Sequence, residues 1–219
     1  MSKLTVADLT ESQVRGKRIL LRADFNVPLD AAGQVSDDTR IRSTLPTIRA
    51  LQALGGRVVL ASHLGRPKGE PDPSMSLAPV ARALESLLGT PVAFVPATVG
   101  PQVEDAVAGL GDGGVLLLEN TRFLPGETAN DQGLSEDLAR IADLFVMDAF
   151  GTAHRAHAST EGAARVIRER GGLAVAGLLL ERELRFLGDA LADPARPFVA
   201  VMGGAKISGK IDVIEGLLP

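Results

Sequence analysis

The chain has 219 residues, of which 45% are hydrophobic and 23% charged, and a formal net charge of −4. That balance belongs to a soluble globular protein with a core of normal size, and its sign argues against a dedicated nucleic-acid binder. The absence of Cys, Trp and Tyr excludes disulfides, thiolate nucleophiles, Cys-based zinc sites and base stacking on aromatic platforms.

Along the chain, short apolar runs alternate with helix-period segments. The runs Arg18–Ala23, Arg57–Ala61, Val92–Val95, Val115–Leu118, Leu144–Met147, Leu173–Ala176 and Phe198–Met202 read as strands. They are almost continuously apolar, as strands buried on both faces should be. Helices are expected over Ser43–Leu54, Ser76–Leu88, Val103–Ala108, Gly133–Ala142, Thr160–Arg170, Leu178–Ala192 and Ser208–Leu217. Gly55-Gly56, Gly89 and Gly171-Gly172 punctuate helix ends, and Ser76 or Ser159 suits an N-cap. The alternation predicts an α/β fold with a doubly wound parallel sheet, a Rossmann-like lobe.

Pro194 and Pro197 end the amphipathic helix Leu178–Ala192. The expected organisation is a lobe over 1–177, an interdomain helix and hinge over 178–197, and the first strand and helix of a truncated second lobe over 198–219. A lone strand–helix unit cannot bury its apolar faces. No run has signal-peptide or bilayer length, so no membrane association and a cytoplasmic location are expected.

In open α/β sheets, ligands bind beyond the carboxyl ends of the strands. After the first strand come Arg22-Ala23-Asp24-Phe25-Asn26, with Arg40 further along the following loop. After the second come Ser62-His63-Leu64-Gly65-Arg66-Pro67, and after Val115–Leu118 come Glu119-Asn120-Thr121-Arg122-Phe123. Leu144–Met147 leads into Asp148-Ala149-Phe150-Gly151-Thr152-Ala153-His154-Arg155-Ala156-His157. All three histidines and an arginine per loop thus gather at one end. Arginine forks match phosphate and carboxylate oxygens, so a small phosphorylated anion is the expected ligand. A single loop arginine is more often a solvated charge, and Asp24 with Asn26 also suits a plain Asx-turn before Pro28.

Gly203-Gly204-Ala205-Lys206-Ile207-Ser208-Gly209-Lys210 lies between an expected strand and helix, a context that favours phosphate at a helix N-terminus. It nearly spells a P-loop, but Ile211 stands where a magnesium-binding Ser or Thr is required. Lys206 and Lys210 still suit a phosphate chain. The plainer reading is a Gly-rich turn with solvated lysines.

Taken together, Arg22–Leu29, Asp37–Ile41, Ser62–Pro67, Leu118–Phe123, Asp148–Ser159 and Gly203–Lys210 resemble the phosphoglycerate kinase family, in the family's order. The run from Asp148 to Ser159 is the most specific. The resemblance implies a hinged, two-lobed cytoplasmic kinase, monomeric at full length. Such a kinase moves a phosphoryl group reversibly between ATP and 3-phosphoglycerate, giving ADP and 1,3-bisphosphoglycerate. By position, it implies that Asp24 and Asn26 contact the glycerate hydroxyl and carboxyl end. It assigns His63, Arg66, Arg122 and Arg155, with Leu64 and Gly65 beside them, to the 3-phosphate. Arg40 would lie near the transferring phosphoryl group, and Lys206 and Lys210 would face the nucleotide, with Arg40 and Lys206 catalytic. The cofactor implied is Mg2+ carried as MgATP or MgADP. Its protein ligand, the adenine pocket, a late Gly-rich loop and a returning final segment have no counterpart before Pro219. The chain is therefore expected to carry the substrate-binding half and to be inactive alone.

Overall fold

The computed structural model describes residues 4–192 and Val199. Of the expected strand Phe198–Met202 only Val199 falls among them. The expected helix Ser208–Leu217, with Lys206 and Lys210, lies outside the described residues.

The strands are β1 (Arg18–Arg22), β2 (Arg57–Ala61), β3 (Val92–Val95), β4 (Val115–Leu118), β5 (Leu144–Met147) and β6 (Leu173–Ala176). All pair in parallel, in the order β3-β4-β2-β1-β5-β6. Alternate side chains of each strand enter opposite layers. Ile19, Leu21, Val58, Leu60, Val115, Leu117, Leu144 and Val146 enter one core, and Leu20, Val59, Leu116, Leu118 and Phe145 the other. Each such side chain contributes roughly 1.5–3 kcal/mol on burial, which explains why the central strands read as unbroken apolar runs.

The helices are α1 (Glu11–Val14), α2 (Thr39–Ala53), α3 (Ala78–Leu88), α4 (Pro101–Ala108), α5 (Gly126–Ala129), α6 (Gln132–Arg140), α7 (Phe150–Ala153), α8 (Ala163–Glu169) and α9 (Leu178–Ala192). Ile41, Ile48 and Leu51 of α2 and Val80 and Leu84 of α3 join the first core. Val103 and Val107 of α4, Leu134 and Leu138 of α6 and Val166 and Ile167 of α8 join the second. Crossover handedness accounts for the split. From β1 to β3 the chain moves one way across the sheet, and from β4 to β6 it moves the other way. Right-handed connections then deposit the two sets of helices on opposite faces.

Five helix starts differ from the sequence reading, those of α4 and α6 by only two residues and one residue. α2 begins at Thr39, not Ser43, because Asp37 Oδ1 accepts from the Thr39 N–H at 2.8 Å and Asp38 holds Arg42 through both oxygens at 2.8 Å. Arg40 therefore stands on the first turn of a helix. Ser76 does not begin α3. Its hydroxyl accepts from the Ala78 N–H at 3.2 Å and donates to Glu119 at 2.7 Å, while Glu119 also accepts from the Leu77 N–H at 2.8 Å. Ser159 is no cap either. It sits fully buried in a π-helical turn, Ala158–Gly162, that leads into α8.

The chain divides into two units, Met1–Leu184 and Arg185–Pro219, and the first carries the whole sheet. Within it, Asp148 at the end of β5 caps α9 from outside that helix. Its Oδ1 accepts from the N–H groups of Leu179 and Leu180, both at 3.0 Å. Gly177 is required there, since a Cβ would collide with the Asp148 carboxyl. Burial pushes the Asp148 carboxyl up, and these hydrogen bonds oppose the shift. Replacing Asp148 by Ala leaves two helix donors without acceptors, a loss of about 1–3 kcal/mol. It should appear as a lower urea midpoint, with Asp148→Asn, which retains the acceptor, losing less.

Candidate anion-binding site

The four loops leaving β1, β2, β4 and β5 are stitched together by side chains. Ser62 Oγ accepts from the Phe25 N–H at 2.8 Å, and Asn26 Oδ1 accepts from the Gly65 N–H at 2.8 Å. Asn120, fully buried, donates its amide to the carbonyls of Leu64 at 2.8 Å and Met75 at 2.9 Å. Its Oδ1 accepts from the Arg122 N–H at 3.1 Å, and Arg122 Nη1 donates to the Gly65 carbonyl at 2.8 Å. Gly65 needs its positive φ of 63° to turn the chain here, and a Cβ would meet Met75 Sδ at 2.6 Å.

The cations converge on this frame. Burial first, and then repulsion from Arg155 and Arg66, pushes the Arg122 guanidinium down, while Glu127 and Asp24 oppose that. Arg66 and Arg155 are exposed and Arg122 is half-buried. Among the described residues, none of the three forms an ion pair with a carboxylate. Arg40 pairs with Asp24, whose Oδ1 also accepts from the Asn26 N–H at 3.2 Å. The Asx-turn therefore forms, and Asp24 additionally anchors an arginine.

His63 is 4% exposed. Burial pushes it down to about 2, and Arg22, Arg122, Arg40 and His157 add to the shift. It is therefore a neutral hydrogen-bonding group at physiological pH. His157 is also pushed down, mainly by burial, with Glu127 opposing.

The structure thus brings Asp24, Asn26, Arg40, His63, Gly65, Arg66, Arg122 and Arg155 to one end of the sheet. Leu64 lies in the core, so only its backbone reaches the site, and its carbonyl already takes the Asn120 amide. Among the described residues, the His154 ring touches the cluster only at Arg155, whose Nε–H it accepts on Nε2 at 3.3 Å. It lines an apolar cavity of about 790 Å³ with Phe145, Met147, Phe150 and Leu180, beside β5 and β6. That cavity lacks the charges of the strand-end loops. A small anion is held by convergent donors rather than by apolar volume, so the loops are the better candidate site. Sequence reasoning missed Asn120, Glu127 and Ser159 as builders of the site. Their polar side chains resemble surface residues in a linear reading, and only their full burial distinguishes them.

A model of the phosphoglycerate kinase family matches residues 9–219. The chain belongs to the phosphoglycerate kinase family. Among curated relatives, phosphoglycerate kinase of Gloeobacter violaceus is 56% identical over 218 residues, covering 100% of this chain and 52% of the relative. That of Moorella thermoacetica is 57% identical over 218 residues, covering 100% and 53%. The solved phosphoglycerate kinase of Coxiella burnetii superposes with a TM-score of 0.83 at 40% identity, over 99% of this chain and 52% of that one. The chain spans about half the length of the phosphoglycerate kinases it matches.

The neutral state of His63 has a measurable consequence. A histidine depressed in the folded state binds protons more readily when unfolded. Its contribution is full above the ordinary value of about 6.5 and declines as pH falls below it. Acidifying to about pH 5 should cost about 2 kcal/mol through His63, read as a falling urea midpoint. His63→Gln should flatten that slope.

Proposed function

We propose that this chain is the acceptor-binding half of a phosphoglycerate kinase. The whole protein would transfer a phosphoryl group reversibly between ATP and the carboxylate of 3-phosphoglycerate, giving ADP and 1,3-bisphosphoglycerate. The observation that carries this reading is the group of three arginines, Arg66, Arg122 and Arg155, on the strand-end loops, none of them paired with a carboxylate among the described residues, with Arg155 and Arg66 both acting on Arg122. Such a concentration of cation is stabilised by a bound dianion. His63, neutral, would add a hydrogen bond without adding charge. The cytoplasm as location and a monomeric full-length form belong to the same proposal. So does the division into a lobe over 1–177, a hinge over 178–197 and the start of a nucleotide lobe from 198. No helix among the described residues is long and apolar enough to cross a membrane.

In this reading Asp24 accepts the glycerate hydroxyl and Asn26 orients the carboxyl end, with the backbone of Leu64 and Gly65 shaping the wall beside the phosphate. Arg40, on the first turn of α2 and held by Asp24, faces the transferring group. Lys206 and Lys210 serve the nucleotide side. Both reacting oxygens belong to substrates, so the protein positions them and offsets charge. Among the described residues no group of three or more His, Cys, Asp or Glu side chains gathers to hold a metal. Mg2+ is expected to arrive with the nucleotide.

Calorimetric titration with 3-phosphoglycerate tests the reading. Arg66→Ala and Arg155→Ala should each weaken binding about tenfold to a hundredfold, the value of one or two charge-assisted hydrogen bonds. A folded protein that gives no heat at millimolar ligand would sink it.

A further inference from the structure

Beneath the arginines lies a buried chain of polar groups that begins at Glu127, on the first turn of α5. Glu127 is fully buried. Ser159 gives it a backbone N–H at 3.0 Å and its hydroxyl at 2.5 Å, and the Thr121 hydroxyl adds a contact at 3.3 Å. In every one of these bonds Glu127 accepts, the behaviour of a carboxylate. Because the Ser159 hydroxyl proton points to Glu127, its lone pairs are free to take Arg22 Nε–H at 2.8 Å. Arg22, itself fully buried, places Nη1 on the Ala23 carbonyl and Nη2 on His63 Nδ1, the latter at 3.1 Å. A guanidinium can only donate. His63 Nδ1 must therefore be bare, and the single imidazole proton sits on Nε2. The chain thus runs from a carboxylate that holds Arg22 in place, through Ser159, to a guanidinium that leaves His63 an Nε2–H donor.

A purely structural counter-ion would serve Arg22 and nothing else. Glu127 does more. It opposes the downward push of burial on Arg122 and His157 as well as on Arg22. It lies 3.9 Å from His157 Nδ1, a buried atom with no hydrogen-bond partner among the described residues. Its bonding partners also sit beside the site residues in sequence. Thr121 precedes Arg122, and Ser159 ends the loop that carries Arg155. Arg22 closes β1, and His63 follows β2. One carboxylate therefore joins the loops of β1, β2, β4 and β5.

We propose that Glu127 is a positioning residue of the anion site: through Ser159 and Arg22 it presents His63 as a neutral Nε2–H donor, and it holds the loops of Arg122 and Arg155 at the spacing a phosphate needs. This rests on the acceptor-site reading above, and two separate readouts keep the claims apart. Long-range 1H–15N spectra of His63 in the ligand-free native protein report its tautomer without any ligand, and calorimetry with 3-phosphoglycerate reports the site. The charged and titratable groups around His63 are Arg22, Arg40, Arg122 and His157, with Glu127 beyond Arg22.

In the native protein His63 should be a single Nε2–H tautomer that does not titrate between about pH 5 and about pH 8. A mixture of tautomers, or titration in that range, overturns the proposal. In Glu127→Gln the Arg22 guanidinium loses its buried counter-charge and should no longer hold His63 Nδ1 bare, so the His63 spectrum should shift to mixed tautomers, and 3-phosphoglycerate affinity should fall about tenfold or more. A folded Glu127→Gln protein with parental spectrum and parental affinity overturns it. Should that variant not fold, the double variant Arg22→Met, Glu127→Leu removes both buried charges together, a change that buried pairs tolerate. In it no guanidinium donates to His63 Nδ1, so the two tautomers should mix and binding should weaken, and parental behaviour in either readout overturns the proposal. If the native protein gives no heat with 3-phosphoglycerate, the acceptor reading fails, while the His63 spectra still decide whether Glu127 sets the tautomer.

Discussion

A guanidinium sealed from water must find a negative charge and a full set of acceptors, because desolvating an ion costs several kcal/mol that only close partners offset. Arg22 at the end of β1 is in that position. Its three bonds reach Ser159, the Ala23 carbonyl and His63, and the negative charge behind Ser159 is Glu127. The loops of four strands cannot move apart without breaking one of these contacts. The rest of the candidate site is arranged on top of that buried pair. Arg122 bonds the Gly65 carbonyl, Asn26 bonds the Gly65 N–H, and Asn120 ties the β4 loop to the β2 loop.

The same end of the sheet shows why net charge is a poor guide to a local field. The chain carries −4 overall, yet its strand-end loops and the first turn of α2 hold Arg66, Arg122, Arg155 and Arg40 close enough for several of them to perturb His63 or one another. The parallel sheet makes this possible. All carboxyl ends point one way, and the helices cover the two faces and leave that end to the loops. At the opposite end Arg18 is paired with Asp143 and Arg57 with Asp112. The charge asymmetry is thus built along the strand axis.

Much of the scaffold was legible because its signal is local. Val115–Leu118 and Leu144–Met147 match their observed strands residue for residue, since an unbroken apolar run flanked by turn residues has few other ways to be buried. Helix starts were less legible where a side chain from elsewhere supplies the cap. Glu119 closes the N-terminus of α3 from the end of β4, whereas α9 starts at Leu178 as the sequence predicts, although Asp148 caps it from the end of β5. Neither partner is near its helix in sequence. The π turn at Ala158–Gly162 was also hidden. Its Ser159 looks like an ordinary cap until Glu127 and Arg22 are seen on either side of its hydroxyl.

By itself, the order of residues determined the alternation of strands and helices, the loops that carry arginine and histidine, and the motifs that resemble phosphoglycerate kinase. These depend on periodicity and on neighbours within a few positions. Tertiary structure alone decided which polar residues are sealed and which face solvent. Glu127 and Glu161 are both acidic residues in polar surroundings, yet the first is fully buried and the second is exposed. Burial is a property of elements brought together across the sheet, and it seals Glu127 against Ser159 in the frame on which Arg22, His63 and the loops above them are arranged.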